Sequence, residues 1–508
     1  MSVSSFSLLG AALQPGVLQE APYVRDGFGQ HLYDNQTNLH PVALGVLIVL
    51  GLATLLARRR NALIPIVLMA CFVPQSQRIV IATLDFTMLR LMVLVCVLRI
   101  STRGEARALR FGPLDSLVLA WAMVSFAAYC TLRGTVSAFV FQTGLIFDQL
   151  GFYFVFRCLL RDWQDLDRLS WMASWAAIVS LPFFVVENLT GRNVFAFFGG
   201  VSPFTIVREG RMRCQGPFAH AIMAGCFWAV LLPLVASRWW RPGGKALAVA
   251  SSTAILGIVY CSASSTPVFA VAAAILGAGM FTMRRHMRLA RWTAVVFIVI
   301  VHFAREQPVW HLISRISAVG GSTSYHRYRL IDAAIRQFPE WALLGTESTA
   351  HWGWYLFDVT NHYVGEAVRG GALTLALFLA YIVVSFGTVG RLWRAQRGSR
   401  YRTAMAWALG VSLFAHCSMF MGVSNFAEQG LCIWFLVVAA LGSLGSSAAV
   451  AVGRRKRGRS RALGRRSPAA LSASGARERG QVIDQKRVGS EVALRYDLAS
   501  DDGRALQT

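Results

Sequence analysis

The chain has 508 residues, of which 55% are hydrophobic and 15% are charged, and its formal net charge is +25 at pH 7. This composition is typical of integral membrane proteins and excludes an ordinary soluble globular domain. The positive charge does not indicate nucleic-acid binding. Most arginines lie in short linkers between hydrophobic runs, as in loops that are held on the cytoplasmic side of a membrane.

We predict an all-α, polytopic integral membrane protein with about 12–13 transmembrane helices and one long periplasmic loop. A polar lead over residues 1–40 precedes a membrane domain at 41–304 of about ten spans. A polar loop at 305–369 follows, then the last three spans within 370–446. The predicted spans are 41–57, 62–76, 79–98, 113–131, 137–157, 168–187, 217–236, 246–262, 265–282, 292–304, 370–388, 403–422 and 429–446.

Arginine-rich linkers predict the orientation, because six of them alternate onto one side, which is therefore cytoplasmic. This places the loops at 188–216 and 305–369 outside, and a basic tail at 447–508 inside. The tail is predicted to be disordered and to contact anionic lipid headgroups. The side of the N-terminus stays open. We predict no cleavable signal peptide, because the first residues lack a basic segment.

The cysteines do not form the pattern of a disulfide framework. None lies in the 305–369 loop, and Cys214 stands alone in the other outer loop, so no bridge within a loop is predicted. Most of the others lie in apolar runs, among them Cys71, Cys96, Cys130, Cys226, Cys261 and Cys432.

The first candidate group lies at the end of the 188–216 loop. Three arginines within six residues depart from the charge rule that the rest of the chain obeys. Arginine presents a planar fork of donors that suits phosphate oxygens, so a lipid diphosphate is a fitting partner. Contact with ordinary phospholipid headgroups is the alternative. The predicted diphosphate-binding residues are Arg208, Arg211, Arg213 and His220.

Two further groups lie in the 305–369 loop. Residues 325–335 predict a helix along the membrane surface, with Arg327 and Arg329 near its start and His326 in support. Asn361, His362 and Tyr363 close the loop. A histidine there can act as a base near neutral pH, whereas simple interfacial anchoring and hydrogen bonding are the bland alternatives for both groups.

Three charged residues within predicted spans form a separate set: Asp85, Arg90 and Asp148. Charges inside a membrane are costly unless they pair or face a cavity. Asp85 and Arg90 are five residues apart and do not share a helix face well, so pairing between spans is predicted. A mid-membrane transport site is the alternative.

At these residues the chain resembles the superfamily of O-antigen ligases and O-antigen or exopolysaccharide polymerases. The run Arg213-Cys-Gln-Gly-Pro-Phe-Ala-His220 is similar to the family's Arg, Gly, aromatic, His run. Arg329, with Leu344-Gly345 further on, is similar to the Arg and later Gly of the long outer loop. Asn361-His362-Tyr363-Val364 with Gly371 is similar to the His-Asn-x-Tyr-Leu…Gly pattern that ends this loop.

The Phe72-Val-Pro74 to Arg90 region is similar to the opening spans of exopolysaccharide relatives. The resemblance covers roughly residues 60–446, with one departure. Thr360 stands where the family most often has a histidine, and His362 lies two positions later. If the base must occupy the earlier position, His326 and His351 are the alternative candidates.

The resemblance implies a metal-independent, inverting glycosyltransferase without a cofactor, at the periplasmic face of the bacterial inner membrane. Its partners would be membrane lipids and a glycan on undecaprenyl diphosphate, and other polysaccharide assembly proteins are further candidates. The implied catalytic residues are His362, Arg329 and Arg327. We favour a polymerase over a ligase, because the opening spans resemble exopolysaccharide relatives. No cluster with metal-ligand spacing is found.

Two rivals from other classes remain. A transporter of a small anion or solute would depend most on Asp85 or Asp148, whereas an enzyme would depend most on Arg329 or His362. A non-catalytic assembly subunit would tolerate both sets of changes but would lose function with the long loop deleted.

Overall fold

The computed structural model describes residues 37–82, 84–315, 323–424 and 427–464, and most of them are helical. Two antiparallel hairpins interrupt the helices: β1 Arg78–Ile81 with β2 Leu84–Thr87, and β3 Ile206–Arg208 with β4 Arg211–Arg213. The helices are α1 Pro41–Leu56, α2 Ile64–Phe72, α3 Met88–Thr102, α4 Pro113–Arg133, α5 Val136–Leu159, α6 Trp163–Thr190, α7 Ala221–Ala236, α8 Lys245–Cys261, α9 Ser265–Gly279, α10 Met287–Phe303, α11 Thr323–Arg336, α12 Phe338–Trp341, α13 His362–Ala395, α14 Arg400–Met419 and α15 Glu428–Gly464.

The protein is embedded in a membrane by several apolar helices. Six helices among the described residues are long and apolar enough to span a bilayer, and they fall within α4, α5, α6, α7, α13 and α15. Three shorter ones, α1, α8 and α9, are also apolar. Helices suit this environment because their backbone hydrogen bonds are made within one segment. The full number of about 12–13 spans stays a prediction.

The predicted span at 79–98 is corrected by the first hairpin. Val80 pairs with Asp85 across β1 and β2, and α3 begins only at Met88. The β-branched run at 79–81 favours a strand, and Thr87 Oγ1 starts the helix by accepting from the Arg90 N–H at 3.2 Å. A short apolar run does not by itself distinguish strand from helix. Likewise, the predicted span at 62–76 is reduced to α2.

Other boundaries also move. The long polar segment ends at residue 361 rather than 369, because α13 begins at His362. The chain divides into units at 1–446 and 447–508. The described part of the second unit, 447–464, is helical, whereas the sequence predicts disorder there. The predicted lead at 1–40 lies outside the described residues except for 37–40.

Contacts between distant segments show that the two large loops lie at the same end of the bundle. The Cys214 N–H donates to the Cys261 carbonyl at 3.0 Å, which joins the 191–220 loop to the end of α8. Arg327 in the long loop donates to Thr266 Oγ1 at 3.0 Å, near the start of α9. We call this the loop end, and the opposite end, where the arginine-rich linkers lie, the arginine end.

The buried arginines near the arginine end are each held by a carboxylate. A guanidinium inside a membrane protein is costly unless an acid and further acceptors surround it. Arg157 is the fullest example, because its forked contacts to Asp115 are joined by the Ser443 hydroxyl at 2.8 Å. The pairs are Arg99–Glu105 at 3.0 Å, Arg157–Asp115 at 2.6 Å and Arg238–Asp167 at 3.0 Å.

Candidate functional site

The β3–β4 hairpin presents three arginines on one face. Glu209 and Gly210 form its two-residue turn with φ values of 52° and 71°, as a tight hairpin requires. Arg208 pairs with Arg211 across the strands, and Arg213 lies two residues further along β4. Because side chains alternate along a strand, all three share a face. Like charges directly opposite each other destabilise a hairpin, so this face suits an anion.

A buried carboxylate fixes the turn that follows the hairpin. Glu187, at the end of α6, accepts from the Gln215 and Gly216 N–H groups at 2.9 Å each. Gly216 has φ 56°, and an added Cβ would lie 2.7 Å from the Phe184 ring, so only glycine fits. Asn193 donates to the Gly216 carbonyl at 2.8 Å. These contacts position the start of α7.

His220 caps α7 and stays neutral. Its Nδ1 accepts from the Ile222 N–H at 3.2 Å. Burial, together with the nearby Arg213 and Arg208, lowers the pKa of His220 to about 4. Burial and Arg208 also lower the pKa of Arg213, which nevertheless remains a cation at neutral pH. The predicted residues Arg208, Arg213 and His220 therefore lie close enough for the two arginine charges to act on the imidazole.

Arg327 is the second cationic element at the loop end. It lies on α11 with 8% of its surface exposed, donates to Thr266 Oγ1, and also donates to the Gly422 carbonyl at 3.3 Å. Burial lowers the pKa of Arg327. Its Nε is buried without a hydrogen-bond partner within the described part of the chain, and no carboxylate there forms an ion pair with it.

An apolar cluster holds α11 in place. Leu330 and Ala334 pack against Leu356, Val359, Val364 and Val368, which lie before and within the first part of α13. Arg327 stands three residues before Leu330 and seven before Ala334, so it lies on the buried stripe of the helix. Arg329 lies off this stripe, and its Nη2 would be 2.8 Å from a Cβ added at Gly353.

The turn after α14, residues 420–424, connects the two parts of the long loop. The Phe420 carbonyl accepts from the His362 N–H at 2.8 Å, and the Met421 carbonyl accepts from Asn361 Nδ2 at 3.3 Å. The Gly422 carbonyl accepts from Arg327, as described above. The predicted residues Arg327, Asn361 and His362 therefore meet around one turn.

α13 folds back on itself at Gly371. In a straight helix His362 and Phe378 would be about 24 Å apart, yet their ring centroids lie 5.3 Å apart. Gly371 has φ 77° and ψ −179°, which interrupts the helix. The first arm (362–370) therefore runs back along the second arm (372–395). Asn361 caps the first arm by accepting from the Tyr363 and Val364 N–H groups at 2.9 and 3.1 Å.

His362 lies in an aromatic pocket. It is 6% exposed, and the ring of Phe420 lies 4.5 Å away, centroid to centroid. Its Nε2 lies 3.8 Å from Glu366 Oε1, and Trp121 Nε1 donates to the other oxygen of Glu366 at 2.8 Å. A carboxylate fixed in this way stands beside the imidazole and can orient it.

The remaining predicted residues of this region make local contacts. His326 Nε2 lies 3.0 Å from the Asp358 carbonyl oxygen, and Tyr363 donates to the Cys417 carbonyl at 2.9 Å. His351 lies 3.0 Å from Glu340, a carboxylate that also accepts from Trp352 Nε1 at 2.9 Å. Thr360 Oγ1, where the resemblance leads us to expect a histidine, is buried without a hydrogen-bond partner among the described residues.

The charged set predicted inside the membrane forms a network between elements. Arg90 binds both oxygens of Asp148 at 2.8 Å, which joins α3 to α5. Glu428, at the start of α15, lies 3.7 Å from Arg90 and was missed by the sequence reasoning. Asp85 lies in β2 beside Arg78 at 3.6 Å, and burial raises its pKa while Arg78 and Arg90 partly offset the effect.

Sequence reasoning also missed Glu187, Thr266 and Cys261. Each acts through a partner that lies in another element, and a single sequence carries no signal for such pairs.

The described residues contain no group of three or more His, Cys, Asp or Glu side chains arranged for a metal ion. Neither the protein-family models nor the curated proteins with which the chain was compared give a match.

Proposed function

We propose that this protein transfers or polymerises glycan units carried on undecaprenyl diphosphate at the periplasmic face of the bacterial inner membrane, in surface polysaccharide biosynthesis. A polymerase is favoured over a ligase. The proposal rests on the loop-end arginines and on the resemblance of the motifs that carry them. The enzyme would be a metal-independent, inverting glycosyltransferase.

The observation that carries the proposal is the isolation of Arg327 from acids. Four arginines are buried in the described part of the chain, and three of them pair with a carboxylate. Arg327 is the fourth, and it lies at the loop end. A buried cation without a counterion is costly in free energy, and a bound anion would offset that cost. A lipid diphosphate supplies such an anion at a membrane surface.

In the proposed reaction the acceptor hydroxyl oxygen attacks the anomeric carbon of the donor sugar. The bond from that carbon to the diphosphate oxygen breaks, and undecaprenyl diphosphate leaves with the electron pair. Arg327, Arg329 and the arginine face of the β3–β4 hairpin would stabilise the negative charge that develops. His362, oriented by Glu366, would accept the proton of the acceptor hydroxyl.

The proposed orientation places the loop end in the periplasm and the C-terminus in the cytoplasm. It follows from the arginine-rich linkers at the opposite end. We expect a cysteine at Ala350 in the long loop to react with a membrane-impermeant thiol reagent in intact spheroplasts. A cysteine at Gly398, between α13 and α14, is the matched control and should react only after lysis. The reverse labelling pattern would overturn the orientation.

The hairpin arginines provide a test of donor binding. We expect Arg208→Gln, Arg211→Gln and Arg213→Gln together to weaken binding of undecaprenyl diphosphate, because three cations on one face are lost. The loss should shrink as salt rises, since exposed charges are screened. Val207→Gln, on the opposite face of the same hairpin, is the control. Unchanged binding by the triple variant would remove the hairpin from the site.

The activity itself is tested with purified protein in liposomes that contain an undecaprenyl-diphosphate-linked repeat unit, with products separated on a gel. A ladder of lengths is the expected result and would identify a polymerase. One discrete shift that requires an added acceptor would identify a ligase. No product with any such donor would overturn the proposal and favour transport.

A transporter is the second candidate, and Arg90 is the observation that favours it. This arginine lies between Asp148 and Glu428, an arrangement that a bound ion or proton could disturb. Under the transferase proposal we expect Asp148→Asn to lower the melting temperature but to leave glycan synthesis per folded molecule close to wild type. Full loss of function in a stably folded Asp148→Asn protein would favour the transporter.

A further inference from the structure

Two cysteines from distant parts of the chain meet at the loop end. Cys214 follows β4, and Cys261 is the last residue of α8. The Cys214 N–H donates to the Cys261 carbonyl at 3.0 Å. This hydrogen bond places the two backbones side by side. A disulfide needs Cα atoms about 4.4–6.8 Å apart, a separation that two residues joined by a direct backbone hydrogen bond can have.

The side chains also meet. Cys214 and Cys261 are free thiols in the structure, with 0% and 5% of their surfaces exposed. The contact of its thiol with Cys261, followed by burial, raises the pKa of Cys214. The two thiols are therefore neighbours in a region closed to solvent, as a bond between them requires.

We infer that Cys214 and Cys261 form a disulfide bond in the mature protein. One thiolate attacks a sulfur of a protein disulfide, which serves as the oxidant, and the second thiolate then displaces that protein from the mixed disulfide. The two cysteines lose two electrons and two protons, and the oxidant is reduced to a dithiol. Because both sulfur atoms are buried in the folded protein, the exchange takes place before the loop packs against α8.

The bond would tie the hairpin-bearing loop to the α8–α9 corner. Cys214 lies between Arg213 and the Gln215-Gly216 turn that Glu187 holds, and Thr266, the partner of Arg327, lies five residues after Cys261. A covalent link here would fix both cationic elements to one corner. The inference needs the loop end to face an oxidising compartment, and it does not need the glycan activity.

The test is a thiol-trapping experiment on the full-length protein. Intact cells are quenched with acid, and the precipitated protein is denatured and alkylated with N-ethylmaleimide at neutral pH. The purified protein is then digested without reductant and examined by mass spectrometry. We expect a cross-linked peptide pair containing Cys214 and Cys261, lighter by two hydrogen atoms than the separate peptides. Cys432, which is buried within α15, should carry the alkyl group and serves as the internal control.

Variants separate a specific bond from general oxidation. Cys214→Ser and Cys261→Ser should each abolish the cross-linked pair and leave the other cysteine alkylated, whereas Cys432→Ser should keep the pair. Reductant should lower the melting temperature of the wild type but not that of Cys214→Ser. Alkylation of both residues in intact cells would overturn the inference.

A second experiment identifies the cause of such a failure. Isolated membranes are treated with a mild oxidant before alkylation. A bond that forms only then would show that the two thiols meet but face a reducing compartment, and no bond would show that they stay reduced in the folded protein. Either result overturns the disulfide in the mature protein. Because the readout is a mass, it is independent of whether the protein makes glycan.

Discussion

Arg327→Ala is expected to abolish glycan product in the liposome assay, with a loss of about 100-fold or more, the scale seen when one preorganised donor to a transition-state oxyanion is removed. The guanidinium donates to Thr266 Oγ1 and to the Gly422 carbonyl, and these contacts hold it at the loop end, where no acid among the described residues pairs with it. Its charge would be left for the departing diphosphate.

Arg336→Ala is the matched control for this change. Arg336 lies on the same helix, is 74% exposed and pairs with Asp332 at 2.9 Å. An exposed pair of this kind contributes little to stability, so activity and melting temperature should stay close to wild type. Arg327→Lys should recover part of the activity, because it keeps the charge but not the planar fork of donors.

The stability of the Arg327 variant separates the two roles that this residue could have. Arg327 also stands at the carboxyl end of α14, where a cation satisfies terminal carbonyls and the helix dipole. If that were its whole role, Arg327→Ala would lower the melting temperature and retain activity per folded molecule. A folded Arg327→Ala protein that binds undecaprenyl diphosphate as the wild type does would refute the anion site.

Much of the proposed anion site could be predicted from the sequence. The run Ile206-Val-Arg-Glu-Gly-Arg-Met-Arg213 contains a turn dipeptide between two alternating strands, which predicts the hairpin and the shared face of its arginines. The spacing of Arg327, Leu330 and Ala334 predicts that Arg327, rather than Arg329, lies on the buried stripe of α11. Local periodicity is sufficient in both cases.

The partners of these residues could not be predicted in the same way. Thr266 and Gly422 are distant from Arg327 in sequence. They contact it only because the starts of α9 and α11 and the end of α14 lie close together. The Glu187 contacts and the meeting of Cys214 with Cys261 are of the same kind. Hydrophobic periodicity specifies which face is buried, but it does not specify which element covers that face.

Hydropathy predicts the beginning of α13 too late in the chain for a related reason. The first arm contains Glu366 and Arg369, so its composition is that of a loop, and hydropathy alone starts the membrane helix at Gly370. The structure covers this arm with Trp121 and the aromatic residues Phe378 and Phe420. Tertiary packing therefore allows polar residues in a helix that sequence patterns assign to the loop.

Gly371→Ala is expected to have the second large effect, because it would disturb both the fold and the proposed base. A Cβ at Gly371 would collide with the carbonyl oxygens of Leu343 and Ala342, and φ 77° with ψ −179° is a conformation that only glycine adopts readily. The strain alone costs about 1–3 kcal/mol. The Ala372 N–H also donates to the Ala342 carbonyl at 2.9 Å, so this contact would be pushed apart.

The consequence for function follows from the geometry of the two arms. If the fold-back at Gly371 opens, His362 leaves the Phe420 carbonyl and Asn361 leaves the Met421 carbonyl, so the turn at 420–424 loses its contacts with the first arm. We therefore expect Gly371→Ala to lower the melting temperature in detergent and to abolish glycan product even in the molecules that remain folded.

Gly365→Ala is the matched control on the same arm. A Cβ there would meet nothing closer than Ser424 Oγ at 3.7 Å, an ordinary contact, and alanine favours the helix by about 1 kcal/mol. Its melting temperature should equal or exceed that of the wild type, with activity retained. Equal tolerance of Gly371→Ala and Gly365→Ala would mean that the fold-back is not needed, and the assignment of His362 to the site would lose its structural basis.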